Sequence, residues 1–124
     1  GDTLFALGCG RLFEGTPSMM WKSLQKLMTL PNETLVYCGH EYTRANAKFA
    51  LTIEPANERL KARSDEINTL RANNLPTVPT TIGLERATNP FVRPESRNIQ
   101  TTIGLPGADA LTVFSEIRRL KDNF

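Results

Sequence analysis

The chain has few β-strand signals for its length, and this scarcity limits the folds that it can adopt. An apolar run at 34–38 favours a buried strand, and one further candidate lies at 3–7. Parallel strands buried on both faces need neighbours, and two strands are too few for such a sheet. The chain also opens on Gly1 without a start methionine. We therefore expect further sequence, or another chain, to complete the sheet.

The strand at 34–38 leads to His40, the only histidine among 124 residues. In open α/β folds, ligands and metals bind outside the carboxyl ends of the strands, so this position suits a functional imidazole. If the preceding strand ends at Asp2, a right-handed crossover would bring Asp2 and His40 to one edge. Both are suitable ligands for a divalent ion, but two donors do not complete a coordination sphere. The alternative is a structural histidine that is satisfied within the fold.

Composition and charge exclude several classes of protein. With 40% hydrophobic and 23% charged residues the chain is globular, and 15 basic against 13 acidic residues give a net charge of +2. The charges are spread along the chain, so we predict no nucleic-acid-binding surface, and nothing approaches a membrane span. Cys9 and Cys38 lack a CxxC spacing, which favours reduced thiols without a catalytic role.

Helix signals dominate the remainder of the chain. Thr16 followed by Pro17 predicts a helix start. Apolar spacing predicts further helices over 44–53, beyond Asn57, and over 108–121. The helix predicted from Thr16, followed directly by the strand at 34–38, makes the second half of a βαβ crossover.

Two stretches are interpreted as irregular. The glycines on either side of Cys9 indicate a closely approached loop. Residues 77–97 carry Pro79, Pro90 and Pro94, which predicts a strap without regular structure. We expect Phe91 to anchor this strap by burying its ring.

The helix predicted at the end of the chain combines an apolar stripe with two cations. Leu111, Phe114 and Ile117 form the predicted inward stripe, and Arg118 and Lys121 project into the same arc. Arginine binds a carboxylate in a bidentate manner and lysine acts as a compact charge, so the pair is a candidate anion receptor. The alternative is snorkelling, or a favourable interaction with the helix carboxyl end.

Four blocks of sequence occur in order along the chain. They are Gly1-Asp2-Thr3-Leu4-Phe5 with Gly8-Cys9-Gly10-Arg11 and Glu14-Gly15-Thr16, Tyr37-Cys38-Gly39-His40-Glu41-Tyr42-Thr43, Asn89-Pro90-Phe91, and Arg118-Arg119-Leu120-Lys121-Asp122-Asn123-Phe124. Together they resemble the carboxyl-terminal half of glyoxalase II, the hydroxyacylglutathione hydrolases of the metallo-β-lactamase superfamily. The resemblance implies an α/β fold class. Residues 1–42 would be the C-terminal part of a metallo-β-lactamase αββα domain, and 43–124 a small all-helical glutathione-binding domain.

The resemblance also implies a metal site. Asp2 corresponds to the carboxylate that bridges two divalent ions, and His40 to a ligand of one of them. Zinc is expected, with iron or manganese as alternatives, and the site is incomplete in this chain. Such metals would lower the pKa of the bound water that supplies the attacking hydroxide and would stabilise the oxyanion, so no further catalytic side chain is assigned.

Substrate-binding positions are carried over in the same way. Tyr42, Arg118 and Lys121 match positions that hold the glutathione moiety, and Arg11 matches a basic substrate-binding position. Phe13 stands where some family members have a substrate-contacting tyrosine, so no hydroxyl contact is expected there.

The implied function is hydrolysis of glutathione thioesters, typically S-D-lactoylglutathione, to the hydroxy acid and glutathione in the cytoplasm or an organelle. The partner would be the missing amino-terminal half, and the isolated chain would be inactive. Two alternatives stay open: a non-catalytic module that binds glutathione without metals, and a related hydrolase with a different acyl substrate.

Overall fold

The computed structural model describes residues 3–10 and 16–124, which form six α-helices and four two-residue strands. The helices are α1 (Pro17–Leu27), α2 (Thr43–Ile53), α3 (Glu58–Ala72), α4 (Ile82–Thr88), α5 (Arg97–Thr102) and α6 (Ala110–Asp122), with a 3₁₀ helix at Pro90–Val92. The strands are β1 (Leu4–Phe5), β2 (Gly8–Cys9), β3 (Leu35–Val36) and β4 (Thr80–Thr81). The fold is therefore mostly helical with two small sheets. None of these helices combines the length and apolar character needed to cross a bilayer.

The four described strands pair antiparallel. The predicted parallel crossover starts from a strand that ends at Asp2, outside the described residues, so it stays a prediction. Within the described residues, β1 pairs antiparallel with β2, and β3 pairs antiparallel with β4. The first apolar run folds back on itself at Ala6 and Leu7, and Leu7 takes a positive φ of 62°. As a result, Gly8–Cys9 is a strand and not the predicted loop.

The predicted helix start at Thr16 is confirmed, and other helices begin in the same way. The Thr16 side chain accepts a hydrogen bond from the Met19 N–H at 3.2 Å, and Pro17 occupies the first turn. Asn57 and Asp109 cap α3 and α6 by the same kind of bond. Because each cap satisfies an N–H without a partner inside the helix, these boundaries are locally encoded.

The strap predicted at 77–97 is wrong in part, because it contains β4, α4 and the 3₁₀ helix. Pro79 and Pro90 flank a stretch without proline, and within it the Thr81 side chain caps α4 by accepting the Leu84 N–H at 3.1 Å. The prolines therefore stand at boundaries, where they are tolerated. Burial of Phe91, which is 1% exposed, is confirmed.

One hydrophobic core joins the first 42 residues to the rest. Its buried members are Leu4, Cys9, Leu24, Phe49, Ile53, Ile82, Phe91, Ile99, Val113, Phe114 and Ile117. A second cluster, in which Leu7 packs with residues of α2 and α3, consists of Leu7, Ala47, Ala50, Leu60 and Ile67. Since the main core draws on both sides of residue 42, the division into 1–42 and 43–124 stays a prediction.

The buried face of α6 is shifted from the predicted stripe. Val113 is fully buried beside Phe114 and Ile117, whereas Leu111 is 36% exposed. Val113 and Ile117 are separated by four residues and lie on one side of the helix. Arg118 completes this face, as the spacing predicted.

The strand before His40 is not buried, contrary to expectation. Leu35 is 56% exposed and the following Tyr37 is 66% exposed. A groove of about 500 Å³ runs beside β3 and is lined by Thr3, Leu4, Ser23, Lys26, Leu27, Leu30, Thr34, Leu35, Val36, Tyr37 and Ile82. The described residues therefore leave one apolar side of β3 open.

Candidate active site

Four of the six predicted site residues belong to the described part of the chain. His40 and Tyr42 lie in the loop between β3 and α2, and Arg118 and Lys121 lie on α6. Asp2 and Arg11 fall outside the described residues, as does Phe13. The predicted convergence of Asp2 and His40 accordingly stays a prediction.

His40 and Tyr42 form a compact aromatic cluster with Phe5. The two rings of the loop are stacked, with centroids 4.9 Å apart and an interplanar angle of 13°. Phe5 of β1 lies under both, with its centroid 6.0 Å from His40 and 5.4 Å from Tyr42. Because Phe5 is 6% exposed while Tyr42 is 51% exposed, the cluster runs from the core to the surface. Sequence reasoning did not identify Phe5 as the base of this cluster.

Two ionisable groups flank the imidazole in sequence. Burial and a weaker backbone hydrogen bond from Ala6 act in opposite directions on Cys38, and burial prevails, so its pKa is raised. Burial also opposes ionisation of Glu41, but hydrogen bonds from Thr77 and Thr43 outweigh it, so the pKa of this carboxyl is lowered. Glu41 therefore stays a carboxylate near neutral pH.

Arg118 is buried and makes contacts within the chain. Its Nη1 donates to the carbonyl oxygens of Cys9 at 3.0 Å and Gly10 at 3.3 Å. Its Nε and Nη2 bind Asp122 at 3.0 and 2.7 Å, and the guanidinium lies 5.1 Å from the Phe91 ring centroid. Arg118 thus ties β2 to α6. Its contact with glutathione stays a prediction.

Lys121 lies in the last turn of α6. Its Nζ is 5.9 Å from the ring centroid of Phe49 on α2, close enough for a cation–π interaction. Tyr42 is the residue before α2 and Phe49 lies seven residues further on, so the two positions are about 10 Å apart along the helix axis. Lys121 is therefore connected to the His40–Tyr42 stack through Phe49 and α2.

The β1–β2 hairpin that carries Phe5 is held by buried polar side chains. Glu85 accepts the Leu7 N–H at 2.9 Å, and Asn89 donates to the carbonyl of Gly8 at 3.0 Å. Asn46 of α2 donates to the carbonyl of Ala6 at 3.1 Å. Together with Arg118, these side chains fix the hairpin backbone, which is flanked in sequence at one end by the predicted metal ligand Asp2 and at the other by the predicted substrate-binding residue Arg11. No local sequence signal identified this set.

The described residues do not form a complete metal site. Among them, no three His, Cys, Asp or Glu side chains lie together in a suitable group. His40 stands on an exposed loop and offers one imidazole, which is a common ligand for zinc, iron and manganese. Its side chain thus fits one ligand position. The predicted second ligand, Asp2, lies outside the described residues.

Comparison with known proteins gives consistent matches. A family model for the hydroxyacylglutathione hydrolase C-terminus matches residues 41–124. A hydroxyacylglutathione hydrolase of Methylococcus capsulatus is 57% identical over 124 residues, which are 100% of this chain and 48% of the relative. Hydroxyacylglutathione hydrolases of Brucella anthropi and Brucella ovis are 60% identical with the same coverage. The chain spans about half the length of these curated relatives.

Proposed function

The chain belongs to the hydroxyacylglutathione hydrolase C-terminus family, and from this premise we propose that the protein it forms part of hydrolyses glutathione thioesters. Identity of 57% and 60% to hydroxyacylglutathione hydrolases over all 124 residues is the observation that carries the proposal. S-D-lactoylglutathione is the proposed substrate, cleaved to D-lactate and glutathione. A cytoplasmic location stays a prediction.

Two divalent metal ions are part of this proposal, with zinc first and iron or manganese as alternatives. This chain would contribute His40 and Asp2, and the remaining ligands would come from the other half of the protein. When bound, such ions supply Lewis acidity that activates water and stabilises negative charge on the thioester oxygen. The part of the site described here contributes the position of one imidazole and its support by Phe5 and Tyr42.

The separation of Tyr42 and Phe49 along α2 supports glutathione as the recognised group. An extended tripeptide spans about 10 Å, which is comparable to the distance along α2 between Tyr42 and Phe49. Tyr42 would contact one end, and Lys121, held near Phe49, would bind a carboxylate at the other. Arg118 would support this surface through its bonds to β2. These residues would hold the substrate in place and lower the entropic part of the barrier.

The open side of β3 supports a second polypeptide segment as partner. Leu35 and Tyr37 are exposed beside an apolar groove, and the chain spans 48% of its relatives. We propose that the amino-terminal half of the same protein covers this groove and completes a metallo-β-lactamase fold. The isolated chain is accordingly expected to be inactive.

A kinetic and metal-binding study of the full-length protein tests the proposal. His40→Ala is expected to remove one metal equivalent and lower kcat at least about a hundredfold, because one ion loses its imidazole. Lys121→Met is expected to raise KM roughly tenfold, since a charge-assisted bond is lost. Lys61→Met is the control, because Lys61 pairs with Glu58 on an exposed face of α3.

The alternatives give different results. Binding of glutathione by a full-length protein that lacks metals and turnover would favour the binding module. Turnover of other thioesters with no glutathione thioester cleaved would favour a hydrolase with another acyl substrate. Full activity and metal content in His40→Ala would contradict the assigned ligand.

A further inference from the structure

The loop that carries His40 is closed at both ends by contacts to one other segment. At the first end, Val36 pairs with Thr80 in the β3–β4 sheet. At the second, Glu41 bonds to Thr77, so the two segments run antiparallel over this distance. Between the two contacts, the four residues 37–40 lie opposite only two residues of the other segment. Residues 37–40 must therefore bulge away from the shorter segment, and His40 is the last residue of this bulge.

The bonds at the second end are short and use both oxygens of one carboxylate. Oε1 of Glu41 accepts the backbone N–H of Thr77 at 2.5 Å, and Oε2 accepts the Thr77 hydroxyl at 2.6 Å. The Thr77 hydroxyl also lies 2.5 Å from the hydroxyl of Thr43. Thr77 and Thr43 are buried, at 3% and 1% exposure. Charge-assisted bonds of this kind are roughly twice as strong as neutral ones.

Glu41 does not serve the more common purpose of an acidic residue at this position. It stands just before α2, where a carboxylate often caps the helix. The N-cap residue is Tyr42, however, and it makes no side-chain capping bond, while both Glu41 oxygens bind Thr77, 36 residues away. The carboxylate thus restrains the loop relative to the β4 segment.

We propose that Glu41 and Thr77 are positioning residues of the candidate active site. Their bonds fix the backbone between His40 and Tyr42, and so hold the two rings in the stacked arrangement above Phe5. The significance of this role rests on the proposed function, in which His40 is a metal ligand and Tyr42 contacts glutathione. Neither Glu41 nor Thr77 touches the reacting atoms in this proposal.

NMR spectroscopy of the 124-residue chain tests the positioning role directly. His40 is the only histidine, so histidine labelling gives the ring signals of one imidazole, and the shift of its Hε1 signal reports the stacked ring of Tyr42. Glu41→Ala and Thr77→Val are expected to move this signal more than halfway to its position in Tyr42→Leu. Thr77→Ser retains the hydroxyl and is expected to keep the wild-type shift.

A matched control is Glu58→Ala, which removes an exposed carboxylate that binds Lys61 within α3. Its His40 signal is expected to stay unchanged. If Glu41→Ala and Thr77→Val keep the wild-type shift, the positioning role is overturned, whatever their effect on melting temperature. If Glu41→Ala does not fold, Thr77→Val against Thr77→Ser decides the question.

The same variants in the full-length protein connect the loop to catalysis. We expect Glu41→Ala and Thr77→Val to lower metal occupancy and to reduce kcat about tenfold, with Thr77→Ser close to wild type. Wild-type occupancy and kcat in both variants would contradict the role. If the wild-type protein itself cleaves no glutathione thioester, the proposed function fails, while the NMR result for the loop still stands.

Discussion

The two small sheets have the same size and pairing but differ in burial. Each consists of two antiparallel strands of two residues. In the first, all four strand residues are buried, whereas in the second Leu35 is 56% exposed and only Thr80 is buried. Strand length therefore does not decide burial here. The two sheets also differ in the side chains that satisfy the backbone around them.

Polar side chains from several elements surround the first sheet. They are Asn46 of α2, Glu85 of α4, Asn89 before the 3₁₀ helix, and Arg118 of α6. Because a buried backbone group without a partner costs about as much as a lost hydrogen bond, these side chains allow the hairpin to enter the core. The second sheet is held at one end by Ile82 and Gly83, which donate to the carbonyls of Thr34 and Asn32, and beyond its other end by the bonds from Thr77 to Glu41. Its other side is left open for packing.

Of the changes predicted for the two sheets, removal of the Glu85 carboxylate should lower the free energy of unfolding the most. Its carboxylate is 1% exposed and accepts bonds from Leu7, Thr80 and Asn89. Glu85→Ala leaves three buried donors without their acceptor, so we expect a loss of about 4 kcal/mol in the free energy of unfolding. Urea denaturation at pH 7 measures it, and Glu95→Ala, on the exposed surface, should change it by less than about 0.5 kcal/mol.

The pH dependence of stability gives a second measurement on the same residue. Burial raises the pKa of Glu85, although bonds from Asn89, Leu7 and Thr80 partly offset it. The folded state therefore binds this proton more tightly than the unfolded state. This contribution to stability is complete below the ordinary glutamate pKa and falls as pH rises through the raised value. Glu85→Gln should remove this slope, and an unchanged slope would contradict the assignment.

The two cysteines report on the two sheets separately. Cys9 lies in β2, where burial raises its pKa to about 11 despite the nearby Arg118. Cys38 follows β3 and is only half-buried. At pH 8, a pKa of 11 leaves about 0.1% thiolate. The pKa of Cys38 is also raised by burial, but this thiol is more accessible, so we expect iodoacetamide to label Cys38 about tenfold or more faster than Cys9. Equal rates, measured by peptide mass spectrometry, would show that the first sheet opens readily.

Helix positions were predictable because their signals are local. Thr16 and Pro17 encode the start of α1 within two residues, and the structure confirms both. The β1–β2 turn carried no such signal, since Ala6 and Leu7 are not typical turn residues, and the positive φ of Leu7 is stabilised by Glu85, 78 residues away. Contacts of this separation cannot be read from periodicity.

The same contrast between local signals and distant contacts applies to the candidate site. The loop placing His40 and Tyr42 beyond a strand was predicted from adjacent residues. The partners that orient this loop, Phe5 and Thr77, come from distant segments and were missed. Arg118 was placed on the inward face of α6, but its partners on β2 depend on tertiary packing.

A methyl group at Gly8 should produce an intermediate effect on the first sheet. A Cβ there would lie 2.7 Å from Nδ2 and 2.9 Å from Cγ of Asn46, which is itself bonded to Ala6. Gly8→Ala is expected to lower the free energy of unfolding by about 2 kcal/mol, because the buried amide must move. In an Asn46→Ala background the clash is absent, so the two changes should be less than additive by about 1 kcal/mol. Additive losses would show that Gly8 is required for another reason.

The smallest effect is expected on the exposed side of the second sheet. Leu35→Ala should change the free energy of unfolding of the 124-residue chain by about 0.5 kcal/mol or less, because much of the side chain already contacts water. Leu24→Ala is the matched control, since Leu24 is 0% exposed, and it should cost about 3 kcal/mol. In the full-length protein, the proposed packing over β3 would bury Leu35, and Leu35→Ala should then cost about 1–2 kcal/mol. An equally small effect in the 124-residue chain and in the full-length protein would mean that no other segment covers this side of β3. The two sheets would then differ in burial in the full-length protein as well.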